Sequence, residues 1–149
     1  MPGKLTRLAV RVLDRAAKLT RRGGPAGAPH LETGRRGEEE AYFHLRRLGY
    51  VLVARNYRSP RRHGELDLVG WDGDVLCFIE VKTRTSRAVM PAEAAVDAEK
   101  QRDLALVARE YLHRVAGSPT WRFDVVSVYL DESGGAPEIT LFKNAFPMS

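Results

Sequence analysis

Cysteine occurs once in 149 residues, at Cys77, so no disulfide can close within the chain and a reducing cytoplasm is the expected setting. No apolar run is long enough to span a bilayer. Lys4, Arg7, Arg11, Arg15 and Lys18 interrupt every apolar stretch near the N-terminus, which therefore does not read as a secretory signal. Also missing are a Gly-x-Ser-x-Gly elbow, a phosphate loop ending in Gly-Lys-Ser/Thr, and any Cys/His pair at zinc spacing. Serine-hydrolase, nucleotide-hydrolase and zinc chemistries thus find no support. Acids are scarce in residues 1–33, two against seven Lys/Arg, whereas residues 34–149 carry seventeen of each sign. The excess of positive charge therefore sits in an N-terminal arm. No internal repeat is visible. The length and a hydrophobic content of 44% suffice for one compact domain and leave no room for a second catalytic one.

What the chain does contain is a dense pattern of acids and a lysine on strand-like segments. Gly64-Glu65-Leu66-Asp67, Trp71-Asp72-Gly73-Asp74 and Phe78-Ile79-Glu80-Val81-Lys82 read as two alternating runs around an Asp-Gly turn signal. They predict an antiparallel hairpin over residues 65–69 and 75–83. Period-two alternation puts Glu65, Asp67 and Val69 on one face of the first strand, and Phe78, Glu80 and Lys82 on one face of the second. Any register that opposes odd residues to even ones joins these two sets. With the tightest turn, Asp72-Gly73, Glu65 lies opposite Glu80 and Asp67 is its diagonal neighbour; with a four-residue loop Asp67 faces Glu80 directly. Two carboxylates about 5 Å apart repel by about 3 kcal/mol at an effective dielectric of about 20. A shared proton, a cation such as Lys82, or a divalent metal would offset that repulsion. The plain alternative is a solvated edge of Glu65 and Asp67, with Glu80 and Lys82 merely paired to each other.

The surroundings favour a site. Val75, Cys77, Ile79 and Val81 make the second face of the same strand apolar, and Leu76 and Phe78 precede the charges on the first, which predicts a largely buried strand. Charged groups at the end of such a strand need a partner. A helix from Gly37 to Leu48 carries Ala41, Leu45 and Leu48 at helical spacing, with Glu38 on the same inward stripe. Glu38 is either an acid aimed at the site or a favourable first-turn charge beside Glu39 and Glu40. A second helix, roughly 92–115, carries Leu104, Val107, Ala108 and Tyr111 on its apolar stripe, with Lys100 one turn earlier. That lysine either holds a phosphate or site carboxylate or snorkels at the rim of the core. Asp124 interrupts a strand pattern running from Phe123 to Leu130 and is expected to pair with a basic neighbour.

At these residues the chain resembles the PD-(D/E)XK, or restriction-endonuclease-like, nuclease superfamily, and within it the YraN-type family of small bacterial proteins. The resemblance runs from about Gly34 to Phe146. It rests on Gly34-Arg35-Arg36-Gly37-Glu38, Arg55-Asn56-Tyr57-Arg58, Gly64-Glu65-Leu66-Asp67-Leu68-Val69, Phe78-Ile79-Glu80-Val81-Lys82-Thr83-Arg84, Lys100, Arg122-Phe123-Asp124-Val125-Val126 and Asn144-Ala145-Phe146. Leu66 stands where the superfamily's name has proline. The resemblance implies an α/β, restriction-endonuclease-like single domain over residues 34–149, with a central mixed sheet flanked by helices. It implies Asp67 and Glu80 as ligands of Mg²⁺ or Mn²⁺, with the main-chain carbonyl of Val81 as a third oxygen. Lys82 would then orient the attacking water or stabilise the phosphorane, which completes a catalytic set of Asp67, Glu80 and Lys82. Related junction-resolving members place a helical glutamate near the metal, a role that Glu38 resembles, and Glu65 and Lys100 are implied as supporting groups. The implied activity is metal-dependent hydrolysis of phosphodiester bonds in DNA more than RNA, with a structured or branched substrate by analogy.

Cationic groups are available for such a substrate. Arg55, Arg58, Arg61, Arg62 and His63 cluster with Tyr57 in what reads as a loop entering the first hairpin strand. Arg84 closes the second strand. Arg35 and Arg36 lie in a Gly34–Gly37 turn at a helix start that either binds phosphate through N–H groups or simply caps the helix. In the arm, Leu5, Leu8, Val12, Leu13, Ala16 and Leu19 predict a basic amphipathic helix, followed by a Gly/Pro-rich linker over residues 23–29. A nucleic-acid arm, a membrane-surface helix and a helix docked on a partner all fit it. Two rivals to the enzyme therefore stand: a nucleic-acid-binding module without chemistry, and a partner or membrane-surface adaptor. A homodimer is compatible with either, and no integral membrane association is expected.

Overall fold

A strand that is apolar on both faces must be covered on both. Leu76-Cys77-Phe78-Ile79 is such a strand, and all four residues are buried. The computed structural model describes residues 29–85 and 96–147 and covers that strand on each side with a helix. In chain order the elements are α1 (Pro29–Arg47), β1 (Val51–Arg58), β2 (Glu65–Asp72), β3 (Val75–Arg84), α2 (Ala98–Leu112), β4 (Trp121–Tyr129) and β5 (Glu138–Phe146). The strands lie side by side in that same order. The β1/β2, β2/β3 and β4/β5 pairs are antiparallel, whereas β3 and β4 are parallel. A parallel step needs a crossover, and α2 supplies it. The result is the expected single α/β domain with a mixed sheet flanked by helices.

Each helix owns one face. Ala41, Tyr42 and Leu45 of α1 pack with Cys77, Ile79 and Val81 of β3 and with Val126 and Val128 of β4. Leu104, Val107 and Ala108 of α2 pack with Leu76 and Phe78 of β3 and with Phe123 and Val125 of β4. The parity of β3 thus sorts its side chains between two cores, and Glu80 follows Phe78 on the α2 side.

The hairpin takes a definite register. Asp72 pairs with Val75 around a two-residue Gly73-Asp74 loop, and Leu68 pairs with Ile79. Gly73 has φ +59, the left-handed conformation such a loop requires and glycine adopts most readily. One step further along this register Asp67 falls opposite Glu80. Glu65 instead pairs with Arg58 of β1, so the register with Glu65 facing Glu80 does not occur.

Two expectations are corrected. Arg55, Tyr57 and Arg58 do not lie in a loop: they belong to β1, because Val51-Leu52-Val53-Ala54 starts a strand that continues to Arg58. Only Arg61, Arg62 and His63 remain in the connection to β2. Nor do Gly34 and Gly37 open a helix. Among the described residues the helix already runs from Pro29. The Gly34–Gly37 backbone is thus helix interior, not a phosphate-binding turn. α1 also crosses the expected boundary at residues 33/34. Residues 1–28, and with them the expected amphipathic helix and most of the linker, lie outside the described residues, as do residues 92–95 of the expected second helix. That helix is capped by Asp97, which accepts from the Lys100 N–H at 2.8 Å.

Gly37 has a packing reason. A Cβ there would meet Oγ1 of Thr83 at 1.8 Å, Cγ2 at 2.6 Å and Cβ at 2.8 Å. Rotating Thr83 relieves the first two contacts but not the third, so α1 must move off the end of β3. Gly37→Ala would gain about 1 kcal/mol of helix propensity in an open helix. Here it is expected to cost a net 1–3 kcal/mol or so through overpacking, read as a lower urea midpoint at unchanged slope. An unchanged or higher midpoint would sink this account of the glycine.

A polar knot lies toward the other end of the sheet. Asp124 is fully buried and accepts from Arg122 Nε (2.8 Å), the Asn144 N–H (3.0 Å) and the Tyr50 hydroxyl (3.2 Å). Arg122 also donates to Asp72 (2.7 Å), which accepts from Lys143 as well (2.9 Å). The expected basic partner of Asp124 is therefore Arg122, two residues away on the same face of β4. Those donors hold the Asp72 carboxyl below its ordinary range, the Arg122 hydrogen bond first. Burial and the neighbouring Asp124 charge push the Cys77 thiol up to about 12, so it stays protonated and unreactive.

Candidate metal centre

Asp67 and Glu80 reach each other because β2 and β3 carry them past the last paired residues, Leu68 and Ile79. Asp67 Oδ2 accepts from the Val81 N–H at 2.8 Å, which ties the end of β2 to β3. Glu80 is only 4% exposed. Its Oε1 receives Lys100 Nζ at 2.5 Å and Lys82 Nζ at 3.4 Å. Its Oε2 is buried and receives no hydrogen bond while Asp67 is ionised; a protonated Asp67 carboxyl is in reach as a donor to Glu80. A buried carboxylate oxygen left bare is costly, and it marks the point where a donor or cation is wanted.

The electrostatics agree. Burial first, and the Glu80 charge second, push the Asp67 carboxyl up to about 8, with Glu38 adding to the rise and the Val81 N–H opposing it. Without a cation the Asp67 carboxyl keeps its proton to higher pH than a free carboxyl does. Burial pulls the Lys82 ammonium down, helped by the Lys100 charge and resisted by Glu80. Burial acts most strongly against charged Lys100, but its hydrogen bond to Glu80 together with the charges of Glu80 and Asp67 holds it above the ordinary range.

An open cavity of about 470 Å³ reaches Asp67, and Glu38, Glu65 and Lys100 line it as well, whereas Glu80 is not part of its wall. Of the expected supporting groups, Lys100 touches Glu80 directly, and Glu38 shares the cavity and acts on Asp67 through its charge. Glu65 stands further out. It accepts from Arg58 Nε at 2.7 Å; with the Asn56 amide turned so that its nitrogen rather than its oxygen faces the acids, Nδ2 lies 3.0 Å from Glu65 Oε1 and 3.2 Å from Glu38 Oε2. The sequence shows Asn56 only as part of the Arg55–Arg58 match, with no role attached to it.

Among the described residues, no three His, Cys, Asp or Glu side chains gather into a ligand cage. A closed zinc or calcium site is therefore not present there. Two acids, one with a bare oxygen, fit an ion that keeps most of its waters, which is how Mg²⁺ is commonly held.

The cationic candidates divide. Arg61 and Arg62 are exposed, and their N–H groups donate to Ser59 Oγ at 3.1 Å. Ser59 in turn donates to Glu110 of α2, which anchors the loop beside the cavity. Arg58 is exposed and paired with Glu65. Arg55 packs its guanidinium 4.4 Å over the Tyr42 ring. Arg84 is half-buried at the end of β3, and Arg35 pairs with Glu32 along α1 while Arg36 faces solvent. Ser59 and Glu110 went unnoticed in the sequence, since a contact 51 residues apart leaves no local pattern.

The mixed sheet, its two covering helices and the Asp67/Glu80/Lys82 end of the hairpin are consistent with a restriction-endonuclease-like α/β fold. Residues 37–128 match the family described as "Uncharacterised protein family UPF0102". The chain belongs to this family, the YraN family. Among its relatives is a UPF0102 protein of Koribacter versatilis, 54% identical over 144 residues, covering 97% of this chain and 96% of that one. Another, from Solibacter usitatus, is 48% identical and covers 76% and 84% of the two chains. A third, from Porphyromonas gingivalis, is 43% identical and covers 81% and 88%. No helix among the described residues is long and apolar enough to cross a membrane.

Proposed function

We propose that the protein is a Mg²⁺- or Mn²⁺-dependent endonuclease that hydrolyses phosphodiester bonds in DNA, with structured or branched DNA as its substrate. The observation that carries this reading is the bare, buried Oε2 of Glu80 beside an Asp67 whose charged form is strongly disfavoured. Bound there, the ion would lower the pKa of water and neutralise the scissile phosphate. Asp67 and Glu80 would hold it, with the Val81 carbonyl as a third oxygen. Lys100 fixes the Glu80 carboxylate through Oε1. Lys82 would orient the attacking water. Arg58, Arg61 and Arg62 would meet phosphates beside the cavity.

One observation favours a second reading, a nucleic-acid-binding fold without chemistry: Glu80 Oε1 already has two lysine partners, so part of its charge is balanced without metal. Purified protein incubated with supercoiled, single-stranded and four-way-junction DNA and with RNA, in Mg²⁺, Mn²⁺ or EDTA, separates the two. Metal-dependent nicking or cutting of DNA is expected. Binding without cutting under every metal would leave the binding module.

A further inference from the structure

In the β1/β2 register, Arg55 pairs with Leu68 and Tyr57 with Leu66, so Asn56 is the residue that falls opposite Asp67. Asn56, Asp67 and Glu80 thus form one row across three neighbouring strands. Within that row only Asn56 breaks strand geometry, as Asn144 does in β5: its φ is +50, a conformation that costs most residues strain and that asparagine tolerates best after glycine. Its amide is oriented by its neighbours. Glu38 and Glu65 can only accept, so the nitrogen faces both, at 3.2 Å and 3.0 Å. Glu38 acts on Asp67 through its charge, and the Asn56 amide stands between the like charges of Glu38 and Glu65.

Resting on the metal-centre reading above, we infer that Asn56 is a positioning residue that clamps Glu38 and Glu65 at the mouth of the cavity, so that Glu38 stays beside Asp67 for the cation. A carboxamide nitrogen has two N–H bonds, one for each acid, and adds no charge beyond the one Glu65 already meets at Arg58. Asn56 is exposed, so it contributes little to the core, and the bent backbone serves the acids rather than packing.

The test is Mn²⁺ titration by calorimetry on the full chain, with melting temperatures recorded in EDTA. Asn56→Gly keeps the left-handed backbone at no steric cost and removes only the amide. It is expected to weaken Mn²⁺ binding about 10–100-fold, as loss of a group that orients metal ligands does. Its melting temperature in EDTA should stay within a few degrees of the parent. In a Glu38→Gln background the same substitution should cost less than threefold, because its effect runs through that acid. If the parent chain binds no Mn²⁺, the metal-centre reading itself fails. If the parent binds and Asn56→Gly binds equally well, the clamp alone fails. A large drop in EDTA melting temperature, or an undiminished loss of affinity in the Glu38→Gln background, would likewise overturn the positioning role.

Discussion

Asp67→Asn is expected to abolish metal-dependent cleavage and, in EDTA, to raise the melting temperature at pH 8. The two effects have one cause. Asp67, a metal ligand on the proposed reading, sits in surroundings that disfavour its charge, its carboxyl pushed up to about 8 by burial and by Glu80. A carboxyl whose folded pKa exceeds its unfolded value favours the folded state while it is protonated. That contribution is complete below about pH 4 and is lost as pH rises through about 8. The substituted amide carries no charge at any pH and still offers an oxygen to the Val81 N–H. Its stabilising effect should therefore be near zero at pH 4 and grow toward pH 8. Saturating Mg²⁺ should reverse the order, since it stabilises only a chain that binds it. For cleavage, the loss of a metal worth several kcal/mol of transition-state stabilisation amounts to about 10²–10⁴-fold. Glu80→Gln makes the sharper comparison. It should abolish cleavage equally but lower the EDTA melting temperature, because Lys82 and Lys100 lose the charge they share. Lys82→Ala should remove cleavage while leaving Mn²⁺ binding intact. Equal melting of Asp67→Asn and the parent at pH 8 in EDTA would refute the electrostatic account; undiminished cleavage would refute the site.

The largest loss of stability is expected far from that site, in Asp124→Ala. The carboxylate is wholly buried and joins β4 to β5 through the Asn144 N–H and to the start of β1 through the Tyr50 hydroxyl. Removing one partner of such a buried pair costs about 3–5 kcal/mol, mostly because the groups left behind stay desolvated. Arg122 would keep Asp72, but the Asn144 amide would keep nothing. A domain of this size holds only about 5–15 kcal/mol in total, so the melting temperature should fall by roughly 8–15 °C. Asp124→Asn keeps the shape and one acceptor and should cost less than half as much. A loss under about 1 kcal/mol for the alanine variant, measured by urea unfolding, would mean the knot is ornamental to stability. Cleavage per folded molecule should stay unchanged, which separates this residue from the site.

Legibility from the sequence followed the range of the forces involved. The hairpin, the second helical stripe and the strand pattern from Phe123 to Leu130 each showed a period of two or 3.6 within a short window, and each is present; of the first stripe Ala41 and Leu45 are buried, whereas Leu48 lies beyond the helix and is exposed. Parity alone placed Asp67 with Glu80 and Lys82. It left open which acid stood opposite Glu80, because shifting the loop by one residue on each side preserves parity. The closing Asp72/Val75 pair decided for Asp67. The N-terminal bound of α1 was misread because two glycines looked like punctuation, when Gly37 is there to let helix and strand touch. Arg55, Tyr57 and Arg58 were misread as loop because polar residues on an edge strand carry little period.

By itself the sequence determined the α/β class, the buried strand β3 and the set of acids and lysines at its end, because alternation and helical spacing are local consequences of backbone geometry. Only the tertiary structure decided that Lys100 grips Glu80, that Asn56 spans Glu38 and Glu65, and that one oxygen of Glu80 is left bare. Those facts depend on how far two helices approach one sheet, a distance set by packing between segments remote in the chain, which no short window of residues encodes.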